Sequence, residues 1–235
     1  MRKVAVLYIV FLLLPSLALA QMDEFQKEFM KANRKYLDEK AISVTQRYLF
    51  TLGVADAAPF DSGYCYIEKN ELKIHSEFNG VESFSDGMYV IRISNPAKYM
   101  VVSWSKPSDS SAPAFMFSEG LAGFKNVEKK NAGTELSQWK LTGGTQGVIA
   151  LEITFDTRES RIRKISAELS PDNPLVSQIR PQSSGIRPQM FIRIDYTYST
   201  ELSKEQPQLS DYIHVENDLV TSAEKFKDYQ IKFIK

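Results

Sequence analysis

Two histidines, one cysteine, a glycine-rich pentapeptide and a few close carboxylates are what this chain offers for covalent, metal or phosphate chemistry. His75 alternates with Lys73 and Glu77, which places it on the polar face of a strand and makes it a solvated residue. His214 alternates with Tyr212 and Glu216 near a strand end, where a structural and a functional reading both stand. No His-x-His or His-Glu-x-x-His spacing gathers metal ligands locally. No Gly-x-Ser-x-Gly elbow supplies a nucleophile. Cys65, between Tyr64 and Tyr66, reads as a buried, inert thiol. Gly143 to Gly147 lacks a Gly-Lys-Ser/Thr ending and runs into a strand, so it is a hairpin loop and not a phosphate cradle. Glu24 with Glu28, and Glu201 with Glu205, read as charged surface. The expectation is therefore no catalytic residue, no metal site, no cofactor and no enzyme.

The elements that could position a site are built from 235 residues, 43% apolar and 11% aromatic, enough for a substantial core. Lys+Arg and Asp+Glu number 29 each, so there is no basic excess to neutralise phosphates and no nucleic-acid partner is expected. Arg2 and Lys3 precede an apolar run from Val4 to Leu14, then Pro15, then Ala18-Leu19-Ala20. That is the pattern of a cleaved signal peptide over residues 1–20, cut between Ala20 and Gln21. Its removal leaves 27 basic against 29 acidic side chains, a net of −2. With its one cysteine at position 65, the exported chain has no lipid-anchored cysteine at its new N-terminus.

Beyond the cut, Met22, Phe25, Phe29, Ala32, Tyr36 and Leu37 recur at helical spacing and predict an amphipathic helix over 22–38. Alternation then takes over. Strands are predicted at Ile42–Phe50, Tyr64–Ile67, Glu71–Phe78, Val81–Ser85, Met88–Ser94 and Tyr99–Trp104. Asn79-Gly80 and Asp86-Gly87 suit type I′ turns, and Asn95-Pro96 marks the next turn. Residues 114–130 could hold a short helix carrying Phe115, Met116, Leu121 and Phe124, weakened by Gly120 and Gly123. Strands resume at Glu135–Leu141, Val148–Phe155, Ile162–Leu169, Met190–Tyr198, Tyr212–Val215 and Tyr229–Ile234. Residues 170–189, with four prolines, form a flap-like loop. Ile149, Leu151, Ile153 and Phe155 oppose Ala150, Glu152 and Thr154, and Ile192, Ile194 and Tyr196 oppose Arg193 and Asp195. One apolar face and one wet face imply an α+β fold, mostly antiparallel: a curved, open half-barrel with short helices over its concave face, in one domain spanning 21–235.

Gly63, Tyr66, Ser85-Asp86-Gly87, the run Tyr89–Ile93, Asn95-Pro96 and Trp104 occur in an order that resembles the periplasmic outer-membrane lipoprotein carriers of the LolA family. Ser43-Val44-Thr45-Gln46-Arg47 is similar to that family's first strand. Ala112 to Met116 falls where the family has a short helix, and Leu151–Phe155 with Ile162–Ala167 resembles its later paired strands. The resemblance spans most of residues 22–216. It implies a soluble periplasmic carrier that binds acyl chains of lipoproteins or other lipids in a hydrophobic half-barrel cavity. The family's basic-Pro pair, whose arginine helps latch the helical lid, falls here on Lys69-Asn70. Lysine keeps the charge and loses the planar fork.

The expected lining comes from each strand in turn: Tyr66 beside Lys69; Leu72, Ile74 and Phe78; Tyr89, Ile91 and Ile93; Ile149, Leu151 and Ile153; and Ile192, Ile194 and Tyr196. The expected partners are acylated lipoprotein or lipid cargo and inner- or outer-membrane envelope proteins, the chain being a monomer. The alternative is a LolA-like fold with a filled interior, used as a non-catalytic interaction component of a cell-envelope or secretion assembly. The extra C-terminal strand 229–234 favours that alternative, because an exposed edge can pair with a partner.

Overall fold

The structure, a computed structural model, describes residues 2–39, 42–70, 72–104, 121, 123–133, 135–144, 147–177, 189–200, 206–216 and 219–234. The Ala112–Met116 motif, residues 178–188 of the proline-rich loop and the Glu201/Glu205 pair lie outside them. Among the described residues helix α1 (Arg2–Asp38) precedes fourteen strands, and one further helical turn, Pro174–Ser177, interrupts the segment expected as a proline-rich loop. The strands are β1 (Ser43–Leu52), β2 (Asp61–Glu68), β3 (Lys73–Phe78), β4 (Val81–Ser85), β5 (Tyr89–Ser94), β6 (Tyr99–Trp104) and β7 (Asn126–Ala132). They continue with β8 (Leu136–Thr142), β9 (Val148–Asp156), β10 (Arg161–Leu169), β11 (Met190–Ser199), β12 (Ile213–Glu216), β13 (Leu219–Ser222) and β14 (Gln230–Ile234).

Twelve strands pair in the order β14-β6-β5-β4-β3-β2-β1-β11-β10-β9-β8-β7, and β12 and β13 form a separate hairpin. Among the described residues the two ends of that order, β14 and β7, do not pair, so the sheet is open. Mostly antiparallel pairing, an unclosed sheet and a helix are the fold class expected from the sequence. The exception to antiparallel pairing is β14, which lies parallel to β6. No helix among the described residues is long and apolar enough to cross a membrane. The chain divides into two compact units: one of Met1–Asp38, Phe50–Phe60 and Ala114–Asp195, the other of Glu39–Leu49, Asp61–Pro113 and Tyr196–Lys235.

In the first unit the expected alternation holds from Leu151 to Phe155, whereas at the start of β9 it does not: Ile149 is exposed and Ala150 buried. Leu151, Ile153 and Phe155 are buried, and their cross-strand partners Leu141, Trp139 and Ile165 share that face. Phe25, Phe29 and Ala32 of α1 are buried as well, at the i, i+4, i+7 spacing of one helical stripe. Phe25 meets Trp139 and Phe155 edge-on, with ring centroids 5.7 and 6.3 Å apart. The short helix expected over 114–130 does not extend past residue 125, because Asn126–Ala132 is strand β7. There Val127 pairs with Leu141 and Lys129 with Trp139, so alternation and a free sheet edge outweigh a helix already weakened by two glycines.

In the second unit the apolar face of β4, β5 and β6 (Phe84, Tyr89, Ile91, Ile93, Met100, Val102) is covered by chain from the C-terminal segment. Tyr212, Ile213, Ala223 and Phe226 complete one buried cluster with it. The cover here is a short hairpin with two 3-10 turns, where helices were expected. It corrects the placement of His75, which is 7% exposed. Register puts His75 opposite Tyr66 and Phe84, so the nominally polar face of β3 is the one the C-terminal segment folds over. Asn79-Gly80 forms the expected turn, both residues having positive φ. At Asp86-Gly87 only Gly87 does. Asp86 instead accepts the N–H groups of Met88 and Tyr89 through Oδ1, at 3.0 and 2.8 Å, giving a three-residue connection.

His75 Nε2 lies 3.0 Å from Glu82 Oε1, which also accepts the Tyr212 hydroxyl at 2.5 Å. These hydrogen bonds, that from His75 foremost, hold the Glu82 carboxyl below the ordinary glutamate value of 4.5. A depressed folded value means the unfolded chain takes up the proton first. The stabilisation is therefore complete above the ordinary carboxylate range and is lost as pH falls through the depressed value. Urea midpoints measured from about pH 6 down to about pH 3 are expected to fall more steeply for the natural chain than for Glu82→Gln. Parallel curves would remove Glu82 from this role.

Candidate hydrophobic binding site

The covers do not fill all the space beside them. In the first unit a cleft of about 440 Å³ runs along the flank of α1, lined by Met22, Phe25, Gln26, Phe29, Met30 and Asn33 with Leu121 and Phe124. Phe25 and Phe29 thus have two contacts, one with the sheet and one with the cleft. Met30 is 66% exposed at its mouth. Its lining among the described residues includes no titratable side chain, and Gln26 and Asn33 are the polar groups there. Such a slot can hold an alkyl chain and orient one polar group.

What fixes α1 over the sheet is a set of polar pins around its apolar stripe. Glu28 accepts the indole N–H of Trp139 at 2.8 Å and the Ser137 hydroxyl. Trp139 is 0% exposed, so without Glu28 its N–H would be buried and unpaired. Glu24 pairs with Lys129 at 2.5 Å, and the same ammonium stands 5.0 Å over the Trp139 ring. Glu24 keeps its surface role, whereas Glu28, expected as surface too, is the polar anchor of the helix.

The expected lining residues divide between the two units. Leu151, Ile153 and Ile194 lie on the buried face of the first unit, at 3, 0 and 5% exposure. Ile192 packs against a smaller cluster of Leu169, Val176 and Met190, and Ile149 is exposed. In the second unit Tyr66, Tyr89, Ile91 and Ile93 are buried on one sheet face, while register puts Ile74 and Phe78 on the other. Leu72 stands in the β2–β3 turn, about half exposed, with φ +54°. Lys69 donates from Nζ to the backbone carbonyl of Glu39 at 2.9 Å, just past the end of α1. Tyr196 is buried near Tyr48, Tyr198 and Cys65, and burial raises its hydroxyl well above the ordinary value. Burial likewise pushes the Cys65 thiol up to about 12, so it is inert as expected. His214 is exposed on β12.

A second apolar cleft, of about 500 Å³, lies in the second unit and is lined by Tyr89, Val102, Ser103, Trp104, Leu219, Val220, Phe233 and Ile234. Of the expected lining residues only Tyr89 borders either cleft. The strand and helix periods that single out core positions miss residues such as Met30 and Trp104, which stand beside the core. Met30 lies beside its helix's buried stripe, and Trp104 ends the strand face that buries Met100 and Val102, so its signal is an apolar side chain where the cover runs out.

No family model and no curated protein matches the chain. Solved structures similar to it include an uncharacterized conserved protein from Thermus thermophilus, at 11% identity and TM-score 0.44, covering 90% of this chain and 99% of that one. The Mycobacterium tuberculosis lipoprotein LppX aligns at 14% identity and TM-score 0.40, over 73% of this chain and 92% of that one. A LolA superfamily protein from Nitrosomonas europaea aligns at 13% identity and TM-score 0.29, over 77% and 94%. The functional reading rests on the clefts.

Truncating the anchor tests how the site is held. Glu28→Ala is expected to cost about 1–3 kcal/mol in chemical denaturation by leaving the Trp139 N–H unpaired, with Glu28→Gln costing less. A loss for Glu28→Ala within about 0.5 kcal/mol would place the anchor elsewhere.

Proposed function

We propose that the chain is an exported, non-catalytic carrier that holds acyl chains of lipoproteins or other lipids in the cleft beside α1. The observation that carries this reading is that cleft: about 440 Å³, walled by Met22, Phe25, Phe29, Met30, Leu121 and Phe124, with no charge among the described residues that line it. Each methylene moved from water into it contributes about 0.8 kcal/mol, so part of one chain gives useful affinity. Methionines at both ends of the helical wall suit a cargo of variable length, because their unbranched side chains adapt to irregular shapes. The signal-like N-terminus supports a periplasmic location after cleavage between Ala20 and Gln21. Cleavage there would leave Met22 and Phe25 within the first turns of the mature helix. Cargo would pass to and from inner- or outer-membrane envelope proteins, the carrier itself being a monomer. Lys69, which holds the carbonyl just beyond α1, occupies the position where the resemblance places the lid latch.

Met30→Glu tests the site without disturbing the core, since Met30 is mostly exposed. The variant is expected to melt as the natural chain does and to bind a fluorescent fatty acid about tenfold more weakly, because the cargo's hydrocarbon would meet a carboxylate. Unchanged affinity would remove the cleft from the binding path.

A further inference from the structure

The second cleft is bordered by β14, the terminal strand of the sheet order, and β14 differs from a protected edge in three ways. First, its outer side is unpaired among the described residues. Gln230 donates its N–H to Lys98 O on the β6 side. Alternation along the strand then turns the N–H and C=O of Ile231 and Phe233 outward. Second, Phe233 and Ile234 are 48% and 45% exposed and reach the cleft, where Trp104 and Leu219 are 56% and 65% exposed. Third, the opposite face of the same edge is cationic. Register aligns Arg92, Val101 and Lys232 in one row across β5, β6 and β14, and Arg92 and Lys232 have no ion pair among the described residues.

From this combination we infer that β14 is a docking edge for an extended segment of a partner protein in which apolar residues alternate with acidic ones. A strand added along β14 hydrogen-bonds to Ile231 and Phe233. Its residues beside Phe233 fall on the cleft face, and the residue beside Lys232 falls on the cationic row. Charge selects the partner and excludes the chain itself. Lys232 is the middle residue of Gln230–Ile234, so antiparallel pairing of two β14 strands would set Lys232 against Lys232, a repulsive cross-strand pair. This inference uses neither α1 nor the acyl cleft and stands or falls separately from the carrier reading.

Trp104 reports on occupancy directly, because the other tryptophan, Trp139, is fully buried. The whole chain is titrated with a short synthetic peptide alternating valine and glutamate, and with its counterpart alternating valine and lysine. The expected result is a saturable blue shift of Trp104 emission with the glutamate peptide and binding at least about tenfold weaker with the lysine peptide. Lys232→Glu, a change at an exposed position, is expected to reverse that preference, and Arg92→Glu to weaken it from two strands away. Absence of a shift with either peptide, equal affinity for both, or concentration-dependent dimerisation that quenches the response would each overturn the inference.

Discussion

An antiparallel sheet that does not close on itself has to bury its apolar faces against other pieces of chain. Everything distinctive in this structure follows from that constraint. The strand order ends at β14 and β7 without joining, so the layer of Leu151, Ile153 and Phe155 and the layer of Phe84, Ile91 and Met100 each need a cover. The first unit uses one amphipathic helix, whose Phe25, Phe29 and Ala32 supply a continuous stripe. The second uses a C-terminal hairpin and two 3-10 turns, with Tyr212 and Phe226 as the large side chains. A helix or a hairpin is narrower than a sheet. Where each cover stops, apolar side chains are left facing open space, and these are the two clefts.

Each cover is also fixed by a carboxylate. Glu28 reaches from α1 to the buried Trp139 N–H, and Glu82 reaches from β4 to His75 and Tyr212. Apolar contacts alone would let a helix slide along a sheet at small cost, since burial is non-directional. A buried donor with a single acceptor removes that freedom, because sliding would leave it unpaired. The pins therefore set where each cover ends, and with that the position of each cleft. Charge-assisted bonds of this kind weaken in acid for Glu82, whose carboxyl is held below its ordinary range.

The meander from β3 to β6 was legible because its signals are local. Asn79-Gly80 needs two positive φ angles, and the alternating runs on either side leave one register that buries Phe84, Ile91 and Val102 together. The 22–38 part of helix α1 was legible for the same reason, whereas its described start at Arg2 lies in the segment read as a signal peptide. His75 was not, since its neighbours Lys73 and Glu77 mark a polar face and nothing nearby announces that Tyr212 folds over it from 137 residues away. Strand β7 was hidden by the apolar cluster before it and by charged residues that suit a helix surface as well as a strand edge. The parallel pairing of β14 with β6 depends on a long connection, which local patterning does not encode. Of the expected lining residues most are buried or half-buried in the sheet, and Tyr89 alone borders a cleft. Alternation reports which residues leave water, and a cleft is lined by residues that only partly do.

The central claim is that the space beside α1 is built to be filled by hydrocarbon. Native mass spectrometry of the chain exported by a membrane-containing host, before and after organic extraction, tests it most directly. The account predicts a reproducible added mass that extracts as lipid or acylated peptide. A bare protein mass, together with no uptake of a fluorescent fatty probe, would contradict it.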